Sequence, residues 1–270
     1  MNILICVDLE GIHGVVGERY QTLTHSCDYK TACEGAVYEI NTVARALFDK
    51  GAEQVYVWDN HGGGGNIDTS LLDKRITPVS HRGYLYRGDF AKALSLSGVI
   101  FLGYHAKEGT PMGVLAHTFS SVGIQYVKLG GTPIGELFVD THIFADLGVK
   151  TLLHAGDDIS CNELKGICPD AVCVVTKRGR GRNNAYLRER GEVLDELYSA
   201  TCASLSLLDK PVALAFPDTP ETLEVRYTRA ERAEDIMRKA GELGIPARWG
   251  DDTHILLFEV TSAKQIPSLL

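Results

Sequence analysis

Acidic and imidazole side chains follow three of the most apolar runs of the chain. Asp8 and Glu10 come directly after the first run, in the stretch VDLEGIHG, while His61 follows the second run and His105 the third. Runs of this composition are typical of buried β-strands. Carboxylate oxygens mixed with imidazole nitrogens suit zinc, manganese or iron, whereas calcium and magnesium prefer oxygen ligands alone. The pattern therefore predicts a transition-metal site where these strands end.

The spacing of Asp8 and Glu10 indicates a site for more than one ion. Residues two apart in an extended strand point to the same side. One carboxylate can bridge two ions about 3.5–4 Å apart, as in two-metal hydrolases. Bound cations would compensate the charge of two acids at the edge of a core. Gly11 and Gly14 would let the backbone turn away sharply after them.

Each candidate also has a purely structural explanation when it is taken alone. An acid after a strand often caps the next helix, which would account for Asp8, and Glu136 could be a favourable charge at a helix N-terminus. Glu10 alone could be a solvated surface acid. A single His61 or His105 is more commonly a hydrogen-bonded structural histidine than a metal ligand. The metal-site hypothesis therefore depends on all of these residues meeting in one place.

Two further stretches are left outside the site. Asp157 and Asp158 follow a fourth apolar run, and we interpret them as caps of the segment that comes next. The four glycines at 62–65 could form a phosphate cradle, but they lack the spacing of a P-loop or a dinucleotide-binding fingerprint, so this signal is weak.

The elements that must position these residues form a βαβ pattern. We predict strands over 2–7, 54–58, 98–102, 150–154 and 171–176. Between the first two, apolar residues from Ala36 to Leu47 recur at spacings of three and four, which is typical of an amphipathic helix, and Gly51 suits its C-terminal end. Strands that read as continuous apolar runs are buried on both faces. We therefore expect an α/β fold with a mainly parallel sheet covered by helices, in three layers.

Two further regions complete the predicted architecture. The run 122–129 and the turn Gly130-Gly131-Thr132-Pro133 predict a hairpin, followed by a helix that starts near Gly135. From residue 209 we predict a strand over 212–216, a helix with a Thr228–Glu231 capping box that ends at Gly244, and a strand over 255–260. This organisation predicts an α/β catalytic domain over 1–208, which carries the metal site, and a smaller C-terminal α+β lobe over 209–270.

The composition excludes several classes of function. The chain of 270 residues carries 27 Lys+Arg against 35 Asp+Glu, a formal net charge of −8. This charge disfavours non-specific nucleic-acid binding, because the phosphate groups of nucleic acids bind to positively charged surfaces. Only KRGRGR at 177–182 is locally basic, and we interpret it as a solvated loop or as a local site for an anion or a partner. The sequence shows neither a signal peptide nor an apolar run of about 18 residues, so we expect a cytoplasmic protein without membrane contact. Seven cysteines without a CxxC pair indicate neither a disulfide framework nor a cysteine-rich zinc site.

Four ordered segments resemble the DppA-type zinc-dependent D-aminopeptidases, peptidase family M55. The segments are VDLEGIHG at 7–14, DNHGGGGN at 59–66, FLGYHAKEGTPMGVLAHTF at 101–119 and PIGELFVDTHIFADLGV at 133–149. The resemblance covers roughly the first 160 residues well and the rest of the chain weakly.

The resemblance implies a function, a site and an assembly. The implied activity is hydrolysis of the N-terminal residue of short peptides, with D-amino acids as the expected residues. The implied assembly is a homo-oligomeric ring, a decamer whose active sites face an internal chamber. The implied site binds two zinc ions per chain and has a catalytic histidine at His117, with Asp8 as a bridging ligand; its metal ligands are Asp8, Glu10, His61, His105 and Glu136.

Departures from the family pattern concern the substrate pocket and leave the metal ligands intact. The segment that usually resembles DSHG reads DNHG here, and Phe138 and Asp140 replace a small residue and an Asn after the Glu136 position. An aminopeptidase must also recognise a free α-ammonium group. Asp59 or Asp140 is a candidate partner for that group.

Two other functions are compatible with parts of the pattern. A two-metal phosphoesterase also uses Asp, His and Asn after strands, but its opening Asp-x-His pair and later GDxxD motif are absent from the sequence. A non-catalytic peptide-binding or transport-associated protein would not need both the full ligand set and His117. In the enzyme, His117 could be an oxyanion donor, the acid that protonates the leaving amine, or a nucleophile.

Overall fold

The computed structural model describes residues 1–20, 22–79 and 91–270, which form two β-sheets with helices packed around and between them. The strands are β1 (Asn2–Val7), β2 (Gln54–Asp59), β3 (Ile76–Val79), β4 (Gly98–Leu102), β5 (Ile124–Leu129), β6 (Thr132–Pro133), β7 (Lys150–Asp157), β8 (Val172–Gly181), β9 (Asn184–Leu187), β10 (Glu221–Tyr227), β11 (Ala247–Trp249) and β12 (Ile255–Val260). The helices are α1 (Tyr29–Asp49), α2 (Glu136–Ala145), α3 (Asp158–Ile167), α4 (Arg190–Ser204) and α5 (Ala230–Glu242). In these described ranges, no helix combines the length and the apolar character needed to cross a bilayer.

The larger sheet has the strand order β3-β2-β1-β4-β7-β8-β9. Neighbouring strands from β3 to β8 are parallel, and β9 is the antiparallel hairpin partner of β8. The central strands β1 and β4 are buried almost throughout, as their continuous apolar runs predict. This arrangement confirms the predicted α/β fold with a mainly parallel sheet.

Helices cover both faces of this sheet. On one face, Ile5 of β1 packs in a core with Ile40 of α1 and Leu197 of α4. On the other face, Leu4 of β1 packs in a second core with Leu164 of α3. Successive residues of β1 thus point into different cores, as the period of a strand requires. The result is the predicted order of three layers.

The strands predicted for the larger sheet are all present, and two of them extend well past their predicted ends. β1 and β4 have the predicted bounds, whereas β7 continues to Asp157 and β8 to Gly181. The extension of β8 comes from its pairing with β9, which sequence periodicity did not show. Most of the basic segment at 177–182 is therefore strand, and Lys177 within it is buried.

The second sheet is antiparallel and has the order β11-β12-β10-β5-β6. β5 and β6 are the predicted hairpin, with Gly130 and Gly131 both at positive φ in its turn. These two strands lie within the range predicted for the catalytic domain. The second sheet therefore combines residues from both sides of the boundary predicted at 208/209.

Helix α2 lies between the two sheets and is buried along most of its length. Leu137 packs in the core that faces the larger sheet, while Val139 and Ile143 pack in the core of the second sheet. The helix begins at Glu136 after Gly135, where the sequence predicts its start. Burial on both sides explains why almost every residue of α2 is buried, including its polar ones.

The predicted strand over 212–216 is wrong. Residues 211–217 contain no strand, and β10 enters the sheet a few residues later. Pro211 and Pro217 flank the segment and have no N–H group to donate to a strand ladder. The segment is held instead by Phe216, whose side chain is buried in the core of the second sheet and whose N–H donates to Asp146 Oδ1 (3.2 Å).

The predicted capping box at the start of α5 is also wrong. The Thr228 hydroxyl donates to the carbonyl oxygen of Val122 (2.8 Å), which joins α5 to the loop before β5. Arg229 is the N-cap residue and makes no side-chain cap hydrogen bond. Gly244, at φ +68°, follows the end of the helix as predicted.

Candidate metal centre

The candidate ligands converge where the order of the parallel strands reverses. β1 has β2 on one side and β4 on the other, and open α/β sheets bind ligands beyond the carboxyl ends of their strands at such a switch point. Asp8 and Glu10 follow β1, His61 follows β2 and His105 follows β4. The structure thus brings together the four residues that the sequence places at strand ends.

Close packing of the loops after β1 and β4 makes this convergence possible. The Asp8 N–H donates to the Leu102 carbonyl (2.8 Å), and the Gly11 N–H donates to the Gly103 carbonyl (2.6 Å). A Cβ at Gly103, which has φ +74°, would lie 2.0 Å from the Asp8 carbonyl oxygen, and a Cβ at Gly11 would lie 2.3 Å from that of Tyr104. Both positions therefore need glycine because the two backbones approach closely.

Asp8 occupies the centre of the cluster. Its Oδ1 lies 2.8 Å from His61 Nδ1, and its Oδ2 lies 3.6 Å from His105 Nε2. On the two flanks, Glu10 Oε2 is 3.2 Å from His61 Nδ1 and Glu136 Oε1 is 3.4 Å from His105 Nε2. The two oxygens of Asp8 thus face two different histidines, as expected of a bridging carboxylate. All five predicted ligands lie in this one cluster.

Backbone carbonyls fix the orientation of both ligand imidazoles. His61 Nε2 lies 2.5 Å from the Thr22 carbonyl oxygen, and His105 Nδ1 lies 3.0 Å from that of Ala106. These contacts place an N–H on the ring nitrogen that points away from the cluster. The other nitrogen then faces the carboxylates. Orientation of a ligating histidine by a carbonyl group is a general feature of metal sites.

In the protein alone, the buried acids and imidazoles compensate one another through protonation. Burial, reinforced by the Glu10 carboxylate, raises the pKa of Asp8 to about 8. Burial by itself lowers the pKa values of His61 and His105, but the facing carboxylates outweigh it and raise them to about 12 and about 10. The imidazolium groups hold positive charge at the positions that cations would take, and cation binding would release these protons.

The polar atoms at the centre of the cluster have spare capacity for a ligand. Within the described chain, Glu10 Oε2 and His105 Nε2 are buried, and beyond the ion-pair contacts at 3.2 and 3.4 Å they make no well-formed hydrogen bond. Two groups of donor atoms each lie within 4.8 Å of one another, Asp8-Glu10-His105 and His105-His117-Glu136. Buried nitrogen and carboxylate donors of this kind are the ones that zinc takes. The residues therefore fit a metal site.

His117 lies against the cluster. Its ring stacks on that of His105 with centroids 3.9 Å apart, and its Nε2 is 3.9 Å from Glu136 Oε1. Its Nδ1 contacts the Leu115 carbonyl (2.9 Å), so Nε2 is the nitrogen that faces the ligands. Burial, reinforced by the charge of His105, lowers the pKa of His117 and favours the neutral ring. The predicted catalytic histidine is therefore in direct contact with the predicted ligands.

The loop that carries His117 has a strained backbone. Met112, Leu115 and Phe119 have φ values of 65°, 52° and 57°, a left-handed conformation that costs on the order of 1 kcal/mol or more for a non-glycine residue. Asp157 holds the loop, because its buried Oδ2 accepts the Val114 N–H (2.6 Å). Its Oδ1 caps α3, the role that the sequence predicts. Asp157 thus links the end of β7 to the position of His117.

Two residues near the cluster give weak signals in the sequence. Thr22 donates its hydroxyl to Glu10 Oε1 (2.5 Å) and also contacts His61, but it belongs to no element or motif that distinguishes it. Lys177 lies in the basic segment, and its buried Nζ donates to the carbonyl oxygens of Glu10 (2.6 Å) and Ile12 (2.7 Å). Lys177 therefore supports the loop that carries the first two ligands.

Most of the cluster lines a cavity of about 550 Å³: Asp8, Glu10, His61, Glu136 and His117 belong to its lining. The two candidate ammonium partners differ in their access to this cavity. Asp59 lines the cavity, but its Oδ2 accepts the N–H groups of Asn66 (2.6 Å) and Ile67 (3.2 Å) and so holds the glycine-rich loop. Asp140 is fully buried, accepts the Tyr104 hydroxyl (2.7 Å) and is not part of the cavity lining. The structure therefore brings Asp59 to the cavity and leaves Asp140 behind its wall.

Comparisons with known proteins agree on one family. The family model described as peptidase M55, D-aminopeptidase, matches residues 1–242. The chain is 25% identical to a D-aminopeptidase of Bacillus subtilis (strain 168) over 236 residues, which is 87% of this chain and 84% of the relative. Its fold is similar to that of the solved "Zn-dependent D-aminopeptidase DppA from Bacillus subtilis, a self-compartmentalizing protease", with a TM-score of 0.86 and 22% identity over 100% of this chain and 95% of the other.

Proposed function

This chain belongs to the peptidase M55 family of D-aminopeptidases, and from this premise we propose that it is a zinc aminopeptidase that removes the N-terminal residue of short peptides, with D residues preferred. One observation carries the proposal: the five predicted ligands form a single buried cluster, and His117 stacks against it at the edge of a cavity. Family membership does not favour a phosphoesterase or a non-catalytic binding protein.

The proposed metal content is two zinc ions per chain. His61 lies against one oxygen of Asp8 and contacts Glu10, while His105 lies against the other oxygen and contacts Glu136. Five donor side chains exceed the usual four ligands of one tetrahedral zinc. The solved relative is described as Zn-dependent, which supports zinc as the metal. Zinc, when bound, supplies Lewis-acid chemistry that polarises a peptide carbonyl and activates water near neutral pH.

Proton transfer is the proposed contribution of His117. Its Nδ1–H donates to the Leu115 carbonyl, so its Nε2 carries a lone pair toward the cluster. Nε2 can take a proton from the attacking water and deliver it to the leaving amine, which is general base and then general acid catalysis. The strained loop and its anchor at Asp157 hold the ring in position for both steps.

We also propose that the chain forms a closed homo-oligomer, with a decamer as the specific expectation. The solved relative is described as self-compartmentalizing, and closed symmetric assemblies are the usual form of homo-oligomers. Light scattering should show a particle many times the 29.4 kDa mass of one chain. A monomer in solution would remove the assembly from the proposal without changing the chemistry of the site.

The proposed activity is tested by metal analysis followed by paired substrates. The purified protein should contain about two zinc ions per chain, as its five ligands require. It should hydrolyse D-alanyl p-nitroanilide faster than the L isomer, lose this activity on chelation and regain it with zinc. A dipeptide should be cleaved only while its amino terminus is free. Equal rates for the free and the N-acetylated dipeptide would exclude an aminopeptidase.

A further inference from the structure

We propose that Arg182 binds the C-terminal carboxylate of the substrate, which makes short peptides with a free carboxylate the preferred substrates. This inference rests on the proposed peptidase function and adds a specificity residue to it. It also gives a role to the end of the basic segment, which the metal centre leaves unexplained.

The charges around the cavity single out Arg182. The acidic residues of the described lining are Asp8, Glu10, Glu18, Asp59 and Glu136, and Arg182 is the only lysine or arginine among the described lining residues. A peptide bound here carries an ammonium group at one end and a carboxylate at the other. Apart from metal ions, Arg182 is therefore the one lysine or arginine of the described lining that this carboxylate can contact.

Arg182 is attached to the catalytic loop at two points. Its Nη1 donates to the Ala116 carbonyl, and its own carbonyl accepts the Leu115 N–H (2.9 Å). In the described structure its guanidinium forms no ion pair, whereas Arg188 pairs with Glu196 at 2.6 Å. A guanidinium has five N–H donors in a planar fork that matches a carboxylate. One bond to Ala116 leaves the remaining donors for a ligand.

Arg180 provides a matched control in the same segment. Its guanidinium lies 4.5 Å from the centroid of the Tyr186 ring, on the strand before Arg182. It is not part of the cavity lining. Arg180→Gln removes the same charge from the same segment without touching the proposed carboxylate site.

The test compares D-alanylglycine with D-alanylglycinamide, whose C-terminus is neutral, on the zinc-loaded full-length protein. The measured quantity is the ratio of kcat/KM for the acid to kcat/KM for the amide. Loss of a charge-assisted hydrogen bond weakens binding by about 10-fold or more. We therefore expect the wild type to show an acid-to-amide ratio of that size, with the two substrates differing in KM. Arg182→Gln should bring the ratio close to one, Arg182→Lys should restore part of it, and Arg180→Gln should leave it unchanged.

The ratio separates carboxylate binding from support of the loop. Loss of the Ala116 hydrogen bond lowers the rates of acid and amide together and leaves their ratio unchanged. A wild-type ratio near one, or a ratio that Arg182→Gln does not alter, would overturn the assignment while peptide cleavage itself stands. Cleavage of neither substrate by the zinc-loaded wild type would defeat the proposed function, and this inference with it.

Discussion

The substitution His117→Ala tests the division of labour within the metal centre. The five other residues of the cluster keep their carboxylate and imidazole donors in this variant, so zinc content should stay near that of the wild type. A proton-transfer group contributes about 10²–10⁴-fold to kcat. We therefore expect a fall of that size in kcat, with KM changed far less.

The contacts of His117 indicate that the variant will fold. Its side chain makes one hydrogen bond, to the Leu115 carbonyl at 2.9 Å, which is worth about 1 kcal/mol. Its ring also stacks on His105 at 3.9 Å, worth about 0.5–1.5 kcal/mol for an aromatic pair. A total loss of roughly 2 kcal/mol is smaller than the stability of about 5–15 kcal/mol that is usual for a folded domain. Thermal unfolding should show a modestly lower Tm.

Three measurements on one preparation decide the result: zinc by atomic absorption, kcat on a D-aminoacyl p-nitroanilide, and Tm. His25→Ala serves as the matched control, because His25 is exposed and does not line the cavity. Near-native turnover by a folded, zinc-loaded His117→Ala protein would refute the catalytic assignment. A large drop in zinc content would instead make His117 a ligand, consistent with its place in the donor group with His105 and Glu136.

Other substitutions test the bridging ligand, the loop anchor and the buried core. Asp8→Ala should lose both zinc ions, since its two oxygens face both histidines; one fully retained ion per chain would argue against bridging. Asp157→Asn replaces one acceptor oxygen with an amide donor that faces the Val114 N–H. We expect kcat to fall about tenfold while the zinc content stays unchanged, and an unaltered kcat would contradict this. Burial lowers the pKa of His154 from 6.5 to about 4. The contribution of the neutral ring to the unfolding free energy is therefore fully present above pH 6.5 and is lost as the pH falls toward 4. Between pH 7 and 4 the metal-free wild type should lose up to about 3 kcal/mol more unfolding free energy than His154→Gln, as measured by urea titration; parallel pH curves would refute this.

Local patterns in the sequence predict the elements that carry the ligands. The apolar runs of β1 and β4 give their observed bounds, because residues buried on both faces leave an uninterrupted signal. The start of α2 after Gly135 and the hairpin turn at Gly130-Gly131 are predicted equally well, since both depend on residues close in the chain. The predicted strand over 212–216 fails because its short apolar run does not show whether a neighbouring strand is present to pair with it.

The sequence also fixes the chemical character of the site. It places carboxylates and imidazoles after β1, β2 and β4, and parallel strands bring their carboxyl ends to one edge. The acids and the glycines that let the loops approach are specified by residue type alone. A mixed nitrogen and oxygen donor set follows before any distance is known.

Tertiary structure decides which of these groups meet. The strand order sets β1 beside both β2 and β4, and only this order places the two oxygens of Asp8 against His61 and His105. The same packing buries Asp140 behind the cavity wall and brings Arg182 to the loop of His117. These contacts join residues that are distant in the chain. Their distances are set by how helices and strands fill the cores, and residue spacing along a single element carries no record of that packing.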